Sequence, residues 1–182
     1  RYRAEAQVAP VILFHDNILG SELITDTLSG DVLPIAMEEI TVASIDHWLA
    51  ALAHGAREVL ILNTDATAPT LTQMLQGELT LANRILDEMG QPQRLRLISA
   101  TDLVTLEQPL AISTTWPVIV PMTLNTNAGA SNAKRDILYQ AIDHLNSQAG
   151  AIQTQLTLPN VPYGQVKLNV DKCTLCMSCV ST

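Results

Sequence analysis

Four consecutive apolar residues, Val59-Leu60-Ile61-Leu62, stand between the turn residue Gly55 and a polar loop opened by Asn63. A run this short, with no polar alternation, is the pattern of a strand covered on both faces, as inside a parallel sheet. The segments around it agree. Residues 8–14, 32–36 and 95–100 are further short apolar runs, and residues 118–120 read as a last extended piece. Pro34 places the second of these strands at an edge or a strand end, because proline cannot donate to a ladder. Between the runs lie segments of helical period. Gly20-Ser21 opens one that reaches Leu28; Val42, Ile45, Leu49 and Leu52 form another, with Thr41 as its expected cap and Gly55 as its stop. Leu71, Met74, Leu75, Leu79, Ala82, Ile85, Leu86 and Met89 share one face of the longest helix, which Gly90 and Pro92 close. Residues 103–106 suggest a helical turn, and Ile137, Leu138, Ala141, Ile142 and Leu145 a final helix. Strand alternating with helix over short connections predicts an open, mostly parallel sheet with helices on both faces.

This pattern runs to about Gly150, and the texture then changes. Residues 153–170 are short extended pieces around Pro159, Pro162 and Gly164 that lead straight into the last residues. The division expected is an α/β domain over 1–150 and a linker with the start of a second module over 151–182. The first residue is Arg1 rather than Met, which reads as an interior piece of a longer polypeptide. Composition narrows the function. The chain of 182 residues is 47% hydrophobic and 15% charged, which excludes a disordered chain. Its net charge of −8 argues against nucleic acid or an anionic membrane as the main partner, since both require a basic footprint. No apolar run approaches the roughly 20 residues that span a bilayer.

All three cysteines fall at the end, at Cys173, Cys176 and Cys179, in the spacing C-x2-C-x2-C. A disulfide framework would spread an even number along the chain, so this set reads as a ligand loop in a reducing compartment. Thiolates at two-residue intervals are the first three ligands of the bacterial ferredoxin run C-x2-C-x2-C-x3-C-P, in which the backbone wraps a cubane and its N–H groups face the sulfurs. Zinc is the rival. Structural zinc sites pair one C-x2-4-C with a second, distant pair, a spacing this run lacks. Three thiolates leave a cubane's fourth position unfilled, so the complete cluster is expected in the longer polypeptide and not in this piece alone.

At this point the sequence resembles a known family. Tyr163-Gly164-Gln165-Val166 through Cys179 is similar to the first strand and first ligand loop of a two-cubane ferredoxin domain. Upstream, Ala53-His54-Gly55-Ala56-Arg57-Glu58-Val59-Leu60-Ile61-Leu62, then Leu81-Ala82-Asn83-Arg84 and Gln93-Arg94-Leu95-Arg96-Leu97-Ile98-Ser99-Ala100, resemble the delta subunit family of methyl-viologen-reducing hydrogenase. Ala133-Lys134-Arg135-Asp136-Ile137-Leu138 resembles the segment before the ferredoxin module in fused relatives. The resemblance implies electron transfer between redox proteins. It also implies cysteines after the first three strands, and here the sequence departs: Phe14-His15-Asp16-Asn17-Ile18, Ile35-Ala36-Met37-Glu38-Glu39 and Asn63-Thr64-Asp65-Ala66-Thr67 contain no thiol. The α/β domain is therefore expected to hold no cluster of its own.

Other candidates have plainer readings beside them. His15-Asp16 and Asn63-Thr64-Asp65 should lie on the carboxyl edge of the sheet, where open α/β folds bind ligands. Asp16 or Asp65 with His15 could serve acid–base chemistry or hold a metal, or these residues could cap helices and satisfy turns. Thr64, Thr67 and Thr70 form a hydroxyl-rich loop before a helix, as a phosphate site would require, but the loop lacks glycine and Pro69 removes a donor. Thr70 as an N-cap is the plainer reading. Neither a G-x-G-x-x-G nor a G-x4-G-K-[ST] run occurs, and Ser21, Ser99 and Ser113 lack a nucleophile elbow. His47, His54 and His144 read as exposed or helix-end residues without i, i+4 metal spacing, Lys134-Arg135 as a solvated helix start, and Trp48, Trp116, Met74 and Met89 as packing.

Taken together, the expectation is a flavodoxin-like α/β domain followed by the start of a ferredoxin-like module, within a cytoplasmic iron–sulfur electron-transfer protein. Cys173, Cys176 and Cys179 are its metal ligands, for a 4Fe-4S cluster in the full-length protein. Asp16, Asp65 and Thr67 are weaker cofactor-binding candidates. The partner is a redox protein, and the chain is an electron-transfer component rather than a stand-alone catalyst. Two alternatives stand: a flavin- or nucleotide-binding oxidoreductase domain, and a zinc-stabilised structural module.

Overall fold

A computed structural model describes residues 8–24, 28, 30–110, 117–123, 134–150, 152–156, 158, 161 and 169–174. Its strands are β1 (Val11–Asp16), β2 (Val32–Met37), β3 (Glu58–Asn63) and β4 (Leu95–Ser99). Its helices are α1 (Leu19–Leu23), α2 (Ile45–Ala53), α3 (Pro69–Glu88), α4 (Leu103–Leu110) and α5 (Lys134–Ser147). The strands form one parallel sheet in the order β2-β1-β3-β4. This is the α/β architecture expected from the alternation.

Two apolar layers show why the sheet is double-faced. Phe14, Val59, Ile61 and Leu95 turn to a core shared with α2, α3 and α5, while Val11, Leu13, Leu60, Leu62 and Ile98 turn to a second core with Leu106 of α4 and the partly buried Leu23 of α1. Val59, Ile61 and Leu62 are wholly buried, and burying each such side chain stabilises by about 1.5–3 kcal/mol. The uninterrupted apolar run of β3 follows from its central position, with a strand on each side and helices on both faces.

Two of the helices facing the first core, α2 and α3, stop in the same way. Gly55 has φ 94° and Gly90 φ 71°, a conformation that glycine adopts without strain. After α2, Ala56 N–H donates to Ala51 O and Gly55 N–H to Leu52 O; after α3, Gln91 N–H donates to Leu86 O and Gly90 N–H to Asp87 O. These are paired Schellman closures, which satisfy the last carbonyls of each helix.

The helix starts differ from expectation. Residues Ile40–Val42 form a 3-10 turn, so α2 begins at Ile45 behind Ser44 rather than behind Thr41, and Val42 is exposed. α3 begins behind Ala68 with Pro69 in its first turn, so Thr70 lies inside the helix and is not its cap. Proline's fixed φ and missing N–H suit that first turn without a capping side chain. Met74 is 45% exposed and lies off the apolar face, whereas Met89 is buried. α1 ends at Leu23, and residues 25–27 lie outside the described residues. α4 reaches Leu110, longer than the single turn expected.

The piece at 118–120, expected to be extended, carries no regular secondary structure and joins no strand of the described sheet. Met122 N–H donates to Ala53 O at the end of α2, and His144 Nε2 of α5 lies 2.7 Å from Val120 O. Its buried Ile119 belongs to the first core. Trp48 packs in that core, fully buried, while Trp116 lies outside the described residues. No helix among the described residues is long and apolar enough to cross a membrane.

Candidate functional site at the carboxyl edge of the sheet

In the order β2-β1-β3-β4, the chain leaves β1 toward one side of the sheet and later returns to the other side through β3. The carboxyl ends of β1 and β3 therefore flank the switch point where open α/β sheets form a crevice. Asp16 closes β1, and Thr64 immediately follows β3. Both are buried.

The Asp16 carboxylate is the centre of this edge. Ile18 N–H and Gly20 N–H donate to Oδ1 at 2.9 and 3.0 Å, and Thr64 Oγ1 donates to Oδ2 at 2.8 Å. Burial pushes the carboxyl group up, but the bonds from Gly20, Thr64 and Ile18 outweigh it and hold Asp16 below the ordinary carboxylate range. Gly20 permits this geometry, because a Cβ there would stand 3.0 Å from both Asp16 Oδ2 and His15 Cβ. His15 Nδ1 lies 2.9 Å from the Asp16 carbonyl oxygen, and Ser21 Oγ donates to the same oxygen at 3.3 Å.

Thr64 is used twice. Its Oγ1 also accepts from Ala66 N–H at 3.3 Å, and its carbonyl accepts from Thr67 N–H at 3.0 Å, so the loop folds back on itself. Asn63 Oδ1 accepts from Thr72 Oγ1 at 2.8 Å, tying the end of β3 to the first turns of α3. Asp65 is exposed and Thr67 half-buried. The structure thus brings Asp16 and Thr64 together, while Asp65 and Thr67 make no described bond to Asp16. A carboxylate that receives three donors from its own chain acts as a brace between β1, α1 and β3. The Asp16–Thr64 contact joins residues forty-eight positions apart, a pairing that only the strand order reveals.

The cysteines lie at the other end of the chain. A short 3-10 turn, Val170–Lys172, is started by Asn169, whose Oδ1 accepts from Lys172 N–H at 3.3 Å. Cys173 follows it in extended conformation, and its N–H donates to Val170 O at 3.3 Å. Its thiol is half-buried and free of disulfide. Cys176 and Cys179 lie outside the described residues. Among the described residues no three His, Cys, Asp or Glu side chains converge as a metal group would require.

His54 is exposed where α2 ends, and His47 lies 3.3 Å from the buried Asp46. Lys134 and Arg135 are exposed at the start of α5. Charged residues that sequence reasoning passed over are held inside. Arg94 is 1% exposed and donates from Nη1 to Arg57 O at 3.3 Å and from Nη2 to Pro117 O at 2.7 Å. Glu58 is buried and ion-paired with Arg96 on the neighbouring strand. Comparison with known proteins finds no matching family model and no matching curated sequence.

Proposed function

We propose that this chain belongs to an iron–sulfur electron-transfer protein of a reducing, cytoplasmic compartment, in which the α/β domain is a docking scaffold beside a ferredoxin-type module. The observation that carries this reading is the C-x2-C-x2-C spacing of Cys173, Cys176 and Cys179. Soft thiolate donors favour iron–sulfur clusters or zinc, and the two-residue intervals favour the cluster. A bound 4Fe-4S cubane would supply one-electron chemistry. The chain's own part is positional: Asn169 and the Val170–Lys172 turn set the backbone that leads into Cys173, and the sheet supplies a rigid body for a redox partner to meet.

The carboxyl edge gives a flavin or nucleotide little to bind. Asp16 and Thr64 spend their polar atoms on each other and on the adjoining backbone, and α3 opens on Ala68 and Pro69 without a glycine loop. The test is anaerobic reconstitution, with iron and sulfide, of the natural polypeptide that carries this chain. Bound iron and acid-labile sulfide in equal amounts, with a paramagnetic signal on reduction, are expected, and Cys176→Ser should abolish or reshape that signal. Zinc bound without iron or sulfide, or a signal indifferent to Cys176→Ser, overturns the assignment.

A further inference from the structure

The two edges of the sheet are not equivalent. Val11 N–H donates to Asp31 O, and Asn17 N–H to Met37 O, so the odd-numbered residues of β2 face β1. The main-chain groups of Val32, Pro34 and Ala36 therefore point outward. Pro34 places its missing donor on that outer edge, a standard protection against strand addition. At β4 the phase is opposite. Val59 N–H donates to Arg94 O, so Arg94, Arg96 and Ile98 face β3 while Leu95, Leu97 and Ser99 turn outward.

The start of this outer edge is already occupied by a strand mimic. Asn83 of α3 donates from Nδ2 to Leu95 O at 2.8 Å and accepts from Leu95 N–H at Oδ1 at 3.3 Å. Both bonds are those a neighbouring strand would make. Two residues further on, the N–H and C=O of Leu97 bond to no described residue, and no proline interrupts β4. Alongside runs a groove of about 380 Å³ between α3 and β4. Gln76, Thr80, Asn83 and Arg84, spaced along one face of α3, form one wall, and Leu95, Arg96 and Leu97 form the other.

The lining fixes the sign of the occupant. It contains two arginines and no acid. Arg96 is paired with Glu58, whereas Arg84 is exposed and has no ion pair among the described residues. The charge this groove offers is therefore the exposed positive one of Arg84, on a chain whose net charge is −8. A second copy offering the same edge would bring the same arginines and no complementary charge.

We propose that the β4 edge receives an extended, acidic segment of a partner protein as a fifth strand. Main-chain bonds to Leu97 would supply the pairing, and an acidic side chain meeting Arg84 would supply the selectivity. The inference takes from the proposed function only the docking role of the α/β domain, and it does not depend on the cysteines.

The test uses the 182-residue chain without iron and fluorescent peptides of about eight residues, a usual strand length. One peptide alternates glutamate with valine and threonine, a second carries lysine in place of glutamate, and a third is the acidic peptide N-methylated at alternate amides on either edge. The acidic peptide should bind, with the other two at least tenfold weaker. Arg84→Glu, an exposed helix position, should weaken the acidic peptide by about tenfold and favour the lysine peptide, as expected when one charge pair becomes a repulsion. Leu97→Pro should abolish binding, with its circular dichroism compared to confirm the fold. Should Leu97→Pro not fold, Arg84→Glu and the N-methylated peptides still decide. Equal binding of acidic and basic peptides, no binding of any, or binding indifferent to N-methylation overturns the proposal. A concentration-dependent dimer seen in sedimentation and lost in Leu97→Pro also overturns it, because the edge would then belong to a second copy. Cys176→Ser should leave peptide binding unchanged, so failure here and failure of the cluster assignment are separable.

Discussion

Thr64 Oγ1 donates to Asp16 Oδ2 at 2.8 Å, so the ends of β1 and β3 are joined by side chains just where the chain reverses its direction of travel across the sheet. With Ile18 and Gly20 bonded to the other oxygen, Asp16 satisfies three donors. Asp16→Ala would orphan them, and we expect a loss of roughly 2–3 kcal/mol in urea unfolding at neutral pH. Gly20→Ala should also destabilise, since its Cβ would press on the same carboxylate.

The pH dependence follows from the depressed carboxyl. A group that ionises more readily folded than unfolded stabilises above its unfolded value, and that stabilisation is lost as pH falls through the folded value. For Asp16 the contribution is full above about pH 4 and fades below it. The wild-type urea midpoint should therefore fall more steeply than that of Asp16→Asn between pH 5 and the acid limit. Parallel curves for the two proteins would show that Asp16 is not the titrating brace.

A second charged contact lies across the sheet, where Glu58 of β3 meets Arg96 of β4. Removing the arginine leaves a buried carboxylate alone. Arg96→Met should cost about 2 kcal/mol, less than the roughly 3–5 kcal/mol of a fully enclosed pair, because the Arg96 side chain is 31% exposed. Glu58→Gln combined with Arg96→Met should lose less than the sum of the single changes, which a double-mutant cycle by denaturation would read.

Arg94 holds a different kind of junction. Its guanidinium, lowered in pKa by burial, donates to Pro117 O and Arg57 O and so fastens the 117–123 piece beside the sheet. Arg94→Met keeps the apolar stem but drops those bonds. Amide exchange at Met122, whose N–H donates to Ala53 O, should accelerate more than exchange in β3. Equal acceleration at both places would mean a global loss of stability instead of a local release.

Much of this architecture could be read in the residues. Val59 to Leu62 announced a central strand because a two-faced core admits no polar alternation. Gly55 and Gly90 marked helix ends because positive φ is required there, and Pro34 marked an edge. Local rules failed where tertiary context overrode them. Thr41 and Thr70 carried the capping chemistry, yet α2 and α3 start elsewhere, behind a 3-10 turn and a Pro69 start. Residues 118–120 had the composition of a strand but serve as packing beneath α2 and α5. The burial of Arg94 and Glu58 left no sequence signal, since charged residues are expected outside unless a partner brought by the fold compensates them. The Asp16 brace was half visible: its place at the sheet edge was legible, its partner Thr64 was not.

Glu78 supplies the opposite sign to Asp16. Burial, followed by the negative charge of Asp46, raises its carboxyl above the ordinary value of 4.5, and Lys134 offsets this in part. Asp46 itself lies buried and accepts from Ser44 Oγ. Glu78 on α3, Asp46 on α2 and Lys134 on α5 thus place two acids and one cation where three helices approach. A carboxyl that ionises less readily folded than unfolded destabilises the fold once ionised, and this penalty vanishes as pH falls below the unfolded value. Glu78→Gln should therefore raise neutral-pH stability by a few tenths of a kcal/mol, with solvent screening keeping the gain small. The gain should shrink as pH falls through the raised carboxyl value and disappear below about pH 4. Removing the Lys134 charge with Lys134→Met should enlarge the effect of Glu78→Gln, because the lysine is the cation that offsets these two acids. Thermal unfolding of the two single variants and the double variant at pH 7 and pH 4 distinguishes this coupling from a pH-independent change in packing, which would shift all three proteins equally at both values.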